Sequence, residues 1–419
     1  MNIPLRARFI DVFNLIIAKG ASFFLTAILF AFISKGMDSL AFAEFGYWWS
    51  IGVMVGGLLL GGVSSSLVRL TAMGGTLRDL RLPSRDAVLV VAGVAVFAAT
   101  VAASWLEWTY WVTLWPAVAA FGVVLQCQSA LLSLLRAVEA TRANALASAF
   151  IVAMVPLSLY LALGSQRALL PVFLTLACAY TFGTAGAFAI TRSTFASIFV
   201  RPGKSALTSG SFAANTVAFT VVNFFSYAVV NVDFTLFRLI GTPQDFATMA
   251  GCKIFFERFL LPLLLVFAGA VSLRVLRKSP GSDRILLELR LSPTTVGLAL
   301  LGVVGLALAY TGFASNLHSD AVVLPWYWAC CAVAGYLLYT LNAILFDVLV
   351  VIHRPAIVLI YVIASLVLGG AIQATAIVGF GVAGWALGWL VFNFLIAIAL
   401  AREGLQLRLA GWAWPSVDR

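Results

Sequence analysis

AIVLIYVIASLVLGGAIQATAIVGFGVAGWALGWLVFNFLIAIAL, from Ala356 to Leu400, runs for 45 residues without a charged side chain. A hydrocarbon core of roughly 30 Å takes about 20 apolar residues at about 1.5 Å each, so this stretch is too long for one crossing and suits two. It reads as two helical spans, 356–378 and 381–400, flanked by Arg354 and Arg402.

The same pattern fills the rest of the chain. Of 419 residues, 63% are hydrophobic and 10% charged, against roughly 25% charged in an ordinary soluble domain. A soluble fold is excluded. Strand-like alternation is absent, which removes a β-barrel as well. Apolar runs between charges place spans near 12–34, 43–66, 86–105, 110–135, 143–163, 168–190, 211–237, 246–272, 292–313, 322–346, 356–378 and 381–400. The expected fold is an all-α polytopic membrane protein of about twelve helices. Helices 1–6 would form an N-lobe over 1–205, helices 7–12 a C-lobe over 206–400, and residues 401–419 a short cytoplasmic amphipathic tail. Arg6 and Arg8 precede an apolar run too long for a signal segment and without a small-residue cleavage site, so the first span is expected to remain as an anchor.

Charge gives the orientation. With both termini in the cytoplasm, 20 of the 26 Lys and Arg fall in cytoplasmic segments, among them Arg78, Arg81, Arg85, Arg274, Arg277, Lys278 and Arg284. The net charge of +10 is then a by-product of cationic loops, and no nucleic-acid partner is implied. Lys35, Arg167 and Arg238 fall in outer loops. On this topology ten of the twelve Trp lie toward the outer face, Trp326, Trp328, Trp385 and Trp389 included, as an interfacial belt.

No Ser/His/Asp, paired-carboxylate or Gly-rich phosphate motif can be assembled, and no outer loop is long enough for a catalytic domain, so an enzyme is not expected. His318 and His353 lie on opposite faces. The five cysteines sit in apolar runs without CxxC spacing, which points to neither disulfide nor metal. No cofactor is expected beyond proton or sodium coupling.

The informative residues are ionisable groups inside spans, each unfavourable by about 2.5–3.5 kcal/mol at a helix centre. Lys253, Glu257 and Arg258 fall in the eighth span. Lys253 and Glu257 are four apart on one face and can neutralise each other. Arg258 projects about 100° away and lies near the midplane. Two readings stand for it: a ligand for an anionic group in a wet cavity, or a structural partner of Asp233 in the seventh span. Lys19 in the first span reads as cavity lining or as a snorkelling cation. Glu44 reads as an interfacial charge, and Asn223, Asn231, Gln126, Gln128 and Asn342 as interhelical hydrogen-bond partners.

A shift of 205 residues superimposes Gly36 on Gly241, Gly46 on Gly251 and Arg69 on Arg274, a weak internal repeat. With six spans per half, the halves would be parallel repeats.

Lys19-Gly20, Phe45-Gly46-Tyr47 and Leu67-Val68-Arg69, within Lys19 to Ala72, together resemble the opening of the bacterial Wzx-type polysaccharide flippases of the multidrug/oligosaccharidyl-lipid/polysaccharide (MOP) superfamily. Val230 to Gly251, VNVDFTLFRLIGTPQDFATMAG, is similar to that family's seventh helix and the glycine opening its eighth. The resemblance implies a MATE-like, V-shaped bundle of two lobes around a central cavity. It implies flipping of undecaprenyl-pyrophosphate-linked oligosaccharide from the cytoplasmic to the periplasmic leaflet of the inner membrane, in O-antigen or exopolysaccharide synthesis. The lipid-linked glycan and the bilayer are the implied partners, with a polysaccharide polymerase and a chain-length regulator beside them. Related flippases hold a cationic cavity on helices 1, 2 and 8. This chain supplies Lys19, Lys253 and Arg258 as substrate-binding candidates, Asp233 and Glu257 as supporting or ion-coupling acids, and no basic residue within helix 2.

Two other transporter readings compete. A multidrug extruder of the same fold would use buried acids for cation coupling, and Gly75 to Asp79 resembles the loop motif of major-facilitator transporters, although Leu80-Arg81-Leu82 breaks it. A scaffold without transport is disfavoured by the buried charge.

Cysteine scanning with a membrane-impermeant thiol reagent tests the topology. Positions beside Arg78 and Arg284 should label only from the cytoplasmic side and positions beside Leu317 only from outside; the reverse pattern overturns the orientation.

Overall fold

The computed structural model describes residues 25, 28–72, 108–137, 141–163, 168–200, 209–257, 261, 302–312, 323–352 and 355–409. The secondary structure among these residues is entirely helical. Eight long elements follow in chain order: α1 (Ser39–Ala72), α2 (Trp108–Ala137), α3 (Thr141–Leu163), α4 (Leu169–Val200), α5 (Ser209–Ile240), α6 (Pro243–Phe255), α7 (Trp326–Ile352) and α8 (Pro355–Leu409). Shorter helical stretches occupy 28–34 and Gly302–Gly312. Helix is what the composition demands, because in hydrocarbon every backbone N–H and C=O must be bonded within the chain.

Among the described residues, five segments are long and apolar enough to cross a membrane: Leu114–Ser133, Arg142–Leu161, Leu169–Thr194, Thr216–Ile240 and Val358–Leu400. The last is double length. Gly381 interrupts it with φ 56° and ψ −132°, a left-handed backbone setting that glycine adopts without a Cβ penalty. α8 is therefore two arms meeting at one residue, where the sequence places the boundary between its last two spans. The expected third span, 86–105, lies outside the described residues. Outward faces are apolar: Tyr160, Leu161, Phe182, Ile360, Val367, Val378 and Phe380 are all exposed, as they must be where the surrounding solvent is lipid.

The chain divides into two compact units. The first comprises residues 1–36 and 47–228, the second residues 37–46 and 229–419. The lobes expected from the sequence, 1–205 and 206–400, follow chain order, whereas the compact units divide inside α5 and assign the first turns of α1 to the second unit.

In the first unit α4 packs along both α2 and α3. Phe121 lies at its centre, with ring centroids 4.5 Å from Trp49, 5.6 Å from Phe173 and 5.8 Å from Tyr180. α1 and α2 meet backbone to backbone, since a Cβ on Gly56 would strike the Gly122 carbonyl and one on Gly122 the Gly52 carbonyl. Small residues at such crossings let membrane helices gain dispersion contacts that lipid cannot supply. α5 joins them through Asn223, whose Nδ2 donates to the Gly61 carbonyl at 2.6 Å, and through Thr220, whose Oγ1 accepts from Gly62 N at 3.2 Å. Gln126 donates to Tyr227 Oη at 3.5 Å.

In the second unit α7 packs along α8, and α8 also meets α6. Asn342 Nδ2 donates to the Asn393 carbonyl at 3.0 Å and to its side-chain Oδ1 at 3.3 Å, while Asn393 Nδ2 donates to Trp389 O at 2.9 Å. Asn223, Gln126 and Asn342 are thus interhelical partners.

Gly122→Leu should force α1 and α2 apart and lower membrane abundance, an overpacking effect of about 1–3 kcal/mol or more. Gly251→Ala, where nothing lies within 4 Å of the added Cβ, should leave abundance near the parental level. Equal losses in immunoblots of the two variants would remove the close crossing as their cause.

Candidate functional site

α5 and α6 form a tight hairpin, and its turn fixes the site. Gly241 N closes the end of α5 by donating to Phe237 O at 2.8 Å. Thr242 then caps α6: its hydroxyl accepts from Asp245 N at 3.1 Å and donates to Asp245 Oδ2 at 2.9 Å, with Pro243 at the first helical position. With the two helices set back to back, Val230 and Asp233 of α5 face Lys253 of α6.

Lys253 has no exposed surface. Its ammonium donates to Val230 O, to Asp233 Oδ2 at 2.9 Å and to Glu257 Oε1 at 2.7 Å. Those bonds take all three donors a lysine possesses. Two aromatic rings complete the surround, Phe234 at 5.3 Å and Trp389 at 5.6 Å from Nζ to centroid, inside the roughly 6 Å range of cation–π attraction. Asp233 is held by further donors, since Oδ2 also accepts from Trp385 Nε1 at 2.8 Å and Oδ1 from its own neighbour's backbone, Phe234 N, at 2.9 Å. Tyr336 donates to Glu257 Oε1 at a longer 3.5 Å. Past Phe255 the helix loosens into a π turn at Phe256 and Glu257, a rare irregularity that recurs at functional sites.

The cluster contains one ammonium and two carboxylates, a formal charge of −1. A lone buried ion is penalised by several kcal/mol, which the mutual attraction offsets only with such complete bonding.

The structure brings together three of the five residues singled out in the sequence: Asp233, Lys253 and Glu257. The Lys253–Glu257 pair forms as their spacing on one helix face predicts. Arg258 and Lys19 lie outside the described residues. Asp233, which the structural reading of Arg258 would pair with that arginine, is engaged among the described residues by Lys253 and Trp385. Two tryptophans depart from expectation. Trp385 and Trp389 are buried and do not belong to an interfacial belt; one bonds Asp233 and the other lies against Lys253 and Tyr336, at 5.3 Å between ring centroids. Their spacing of four on one face of a glycine-rich arm, opposite a buried acid, was the available signal. Arg238, expected in an outer loop, sits in the last turn of α5 and pairs with Glu44 at 3.5 Å, both groups being partly exposed.

Removing members of the cluster should rank by the charge left behind. In buffer free of alkali metal, Lys253→Met leaves two carboxylates facing each other and should be the most damaging, by about 3–5 kcal/mol. Asp233→Leu leaves the neutral Lys253–Glu257 pair and should be milder. Trp385→Phe removes one donor to a charged acceptor, an effect of about 1.5–3 kcal/mol. Unfolding temperatures of the purified variants check the order, and a Trp385→Phe loss equal to that of Lys253→Met contradicts it.

No family model matches the chain, and no curated protein is similar to it in sequence. Solved structures resemble it in fold. A variant of the Vibrio cholerae MATE transporter VcmN superimposes with a TM-score of 0.64 at 14% identity over 96% of each chain. The eukaryotic MATE transporter AtDTX14 gives 0.62 at 12% identity, over 95% of this chain and 96% of that one. A MOP-superfamily transporter from Pyrococcus furiosus, described as having a binding pocket of reversed polarity that suggests a different function, gives 0.58 at 11% identity over 95% of each. These likenesses span nearly the whole chain and fix its architecture: an all-α polytopic membrane protein with the fold of the MATE transporters of the MOP superfamily.

Proposed function

We propose that the chain is a flippase that moves an undecaprenyl-pyrophosphate-linked oligosaccharide from the cytoplasmic to the periplasmic leaflet of a bacterial inner membrane, with both termini cytoplasmic. The fold supports membrane transport. The cargo class is supported by the resemblance of Lys19 to Ala72 and Val230 to Gly251 to polysaccharide flippases.

One observation favours this cargo over a cationic drug: both buried carboxylates of the described cluster already carry the ammonium of Lys253. A drug cation needs an acid open to it. A lipid pyrophosphate needs the opposite, cations that replace water around its phosphates, and here Arg258 and Lys19 are the proposed ligands. Lys253, its donors taken, is assigned to holding the α5–α6 hairpin. Ion-coupled multidrug extrusion is the second reading, favoured by the MATE neighbours and by the net negative charge of the cluster.

Reconstitution separates the two. Vesicles carrying the purified protein and a labelled undecaprenyl-pyrophosphate oligosaccharide should expose the glycan to an added glycosidase faster than protein-free vesicles. Arg258→Ala should abolish that gain at normal protein level, and Arg258→Lys should keep part of it, because the charge remains while the bidentate geometry is lost. Efflux of a cationic dye under a proton or sodium gradient, without glycan exposure, would select the extruder.

A further inference from the structure

The oxygen atoms around Lys253 form the kind of set that binds a hard cation. A backbone carbonyl from Val230, a carboxylate oxygen from Asp233 and another from Glu257 converge from two helices on the ammonium of Lys253, a residue with no exposed surface. Carboxylate and carbonyl oxygens are the usual ligands of hard metal ions, and carbonyl rings replace the hydration shell of alkali ions in channels. The ring faces of Phe234 and Trp389 close the remaining sides and favour a monovalent cation.

We propose that Lys253 is a tethered substitute for a bound alkali cation: its ammonium permanently fills an oxygen-lined site in the second unit, and removing that ammonium opens the site to sodium or potassium. Charge balance carries the argument. Without Lys253 the two carboxylates leave a formal charge of −2 in a low-dielectric bundle, and a free monovalent cation held by the same three oxygens restores the present −1. With Lys253 in place, the α5–α6 hairpin is held in its cation-bound arrangement at all times, so the wild-type protein has no use for an alkali ion here. Lys253 thereby decides the ion dependence of the unit, whichever cargo is carried.

Unfolding temperatures of the full-length protein in nanodiscs, titrated with NaCl, KCl or choline chloride at constant ionic strength and pH, test the idea. The wild type should respond alike to all three salts. Lys253→Ala should unfold at a lower temperature in choline and rise saturably with sodium or potassium, because a ligand bound only by the folded state stabilises it. Adding Asp233→Asn to Lys253→Ala should abolish that rise by removing a ligand. Lys253→Gln, a longer neutral side chain, is the second variant and should show a smaller rise. Three results overturn the proposal: a wild type stabilised by sodium or potassium over choline, a Lys253→Ala variant indifferent to the salt but stabilised by lowering pH, meaning that the carboxylates take protons instead, or failure of both variants to fold in either alkali salt.

Discussion

Lys253 carries its ammonium into a helical bundle where it reaches no solvent, and much of the second unit follows from that constraint. An unpaired charge in such surroundings would be far more unfavourable than any single packing contact is favourable. The chain answers with acceptors on two helices, then secures those acceptors in turn. Asp233 is fixed by Trp385 from the second arm of α8, and Glu257 by Tyr336 from α7. One cation thus ties four helices, and the aromatic core around it, Phe234, Trp389 and Tyr336, is arranged as its shell. Polar networks of this kind specify a single packing because half-satisfied alternatives are heavily penalised.

The first unit shows a different solution. Its described core has no comparable charge cluster, and its helices are brought together by backbone approach at Gly52, Gly56 and Gly122 and by the aromatic group around Phe121. Van der Waals contact and carbonyl-directed side-chain bonds suffice there. Each unit is thus held together internally by its own chemistry.

The fold was largely legible in the sequence, because lipid imposes one rule on every span. Long uncharged runs have to be helices, and the run from Ala356 to Leu400 reads as two spans with its corner next to Gly381. The site was half legible. Lys253 and Glu257 sit four apart, and that spacing alone predicts their contact. The bond between Asp233 and Trp385 spans 152 residues, and hydropathy has no term for which distant indole reaches a buried acid. Tryptophan near a span end reads equally well as an interfacial anchor or as a buried donor, and only packing decides. Helix periodicity likewise carries no mark of the π turn at Phe256 and Glu257.

Gly381 bears on how the protein is made. The two arms of α8 meet at a single residue, with no polar loop between them and no charge from Ala356 to Leu400. A nascent chain gains nothing by halting after the first arm, since its far end would then hold an apolar segment in water. The arms are therefore expected to leave the ribosome-bound insertion machinery and partition into lipid as one hairpin. Their orientation then depends on cations outside the hairpin, Arg354 before it and Arg402 and Arg408 after it, which lie close enough to its open end to be counted. Biogenesis of the last two spans is a single event with a single address, written outside the hairpin itself.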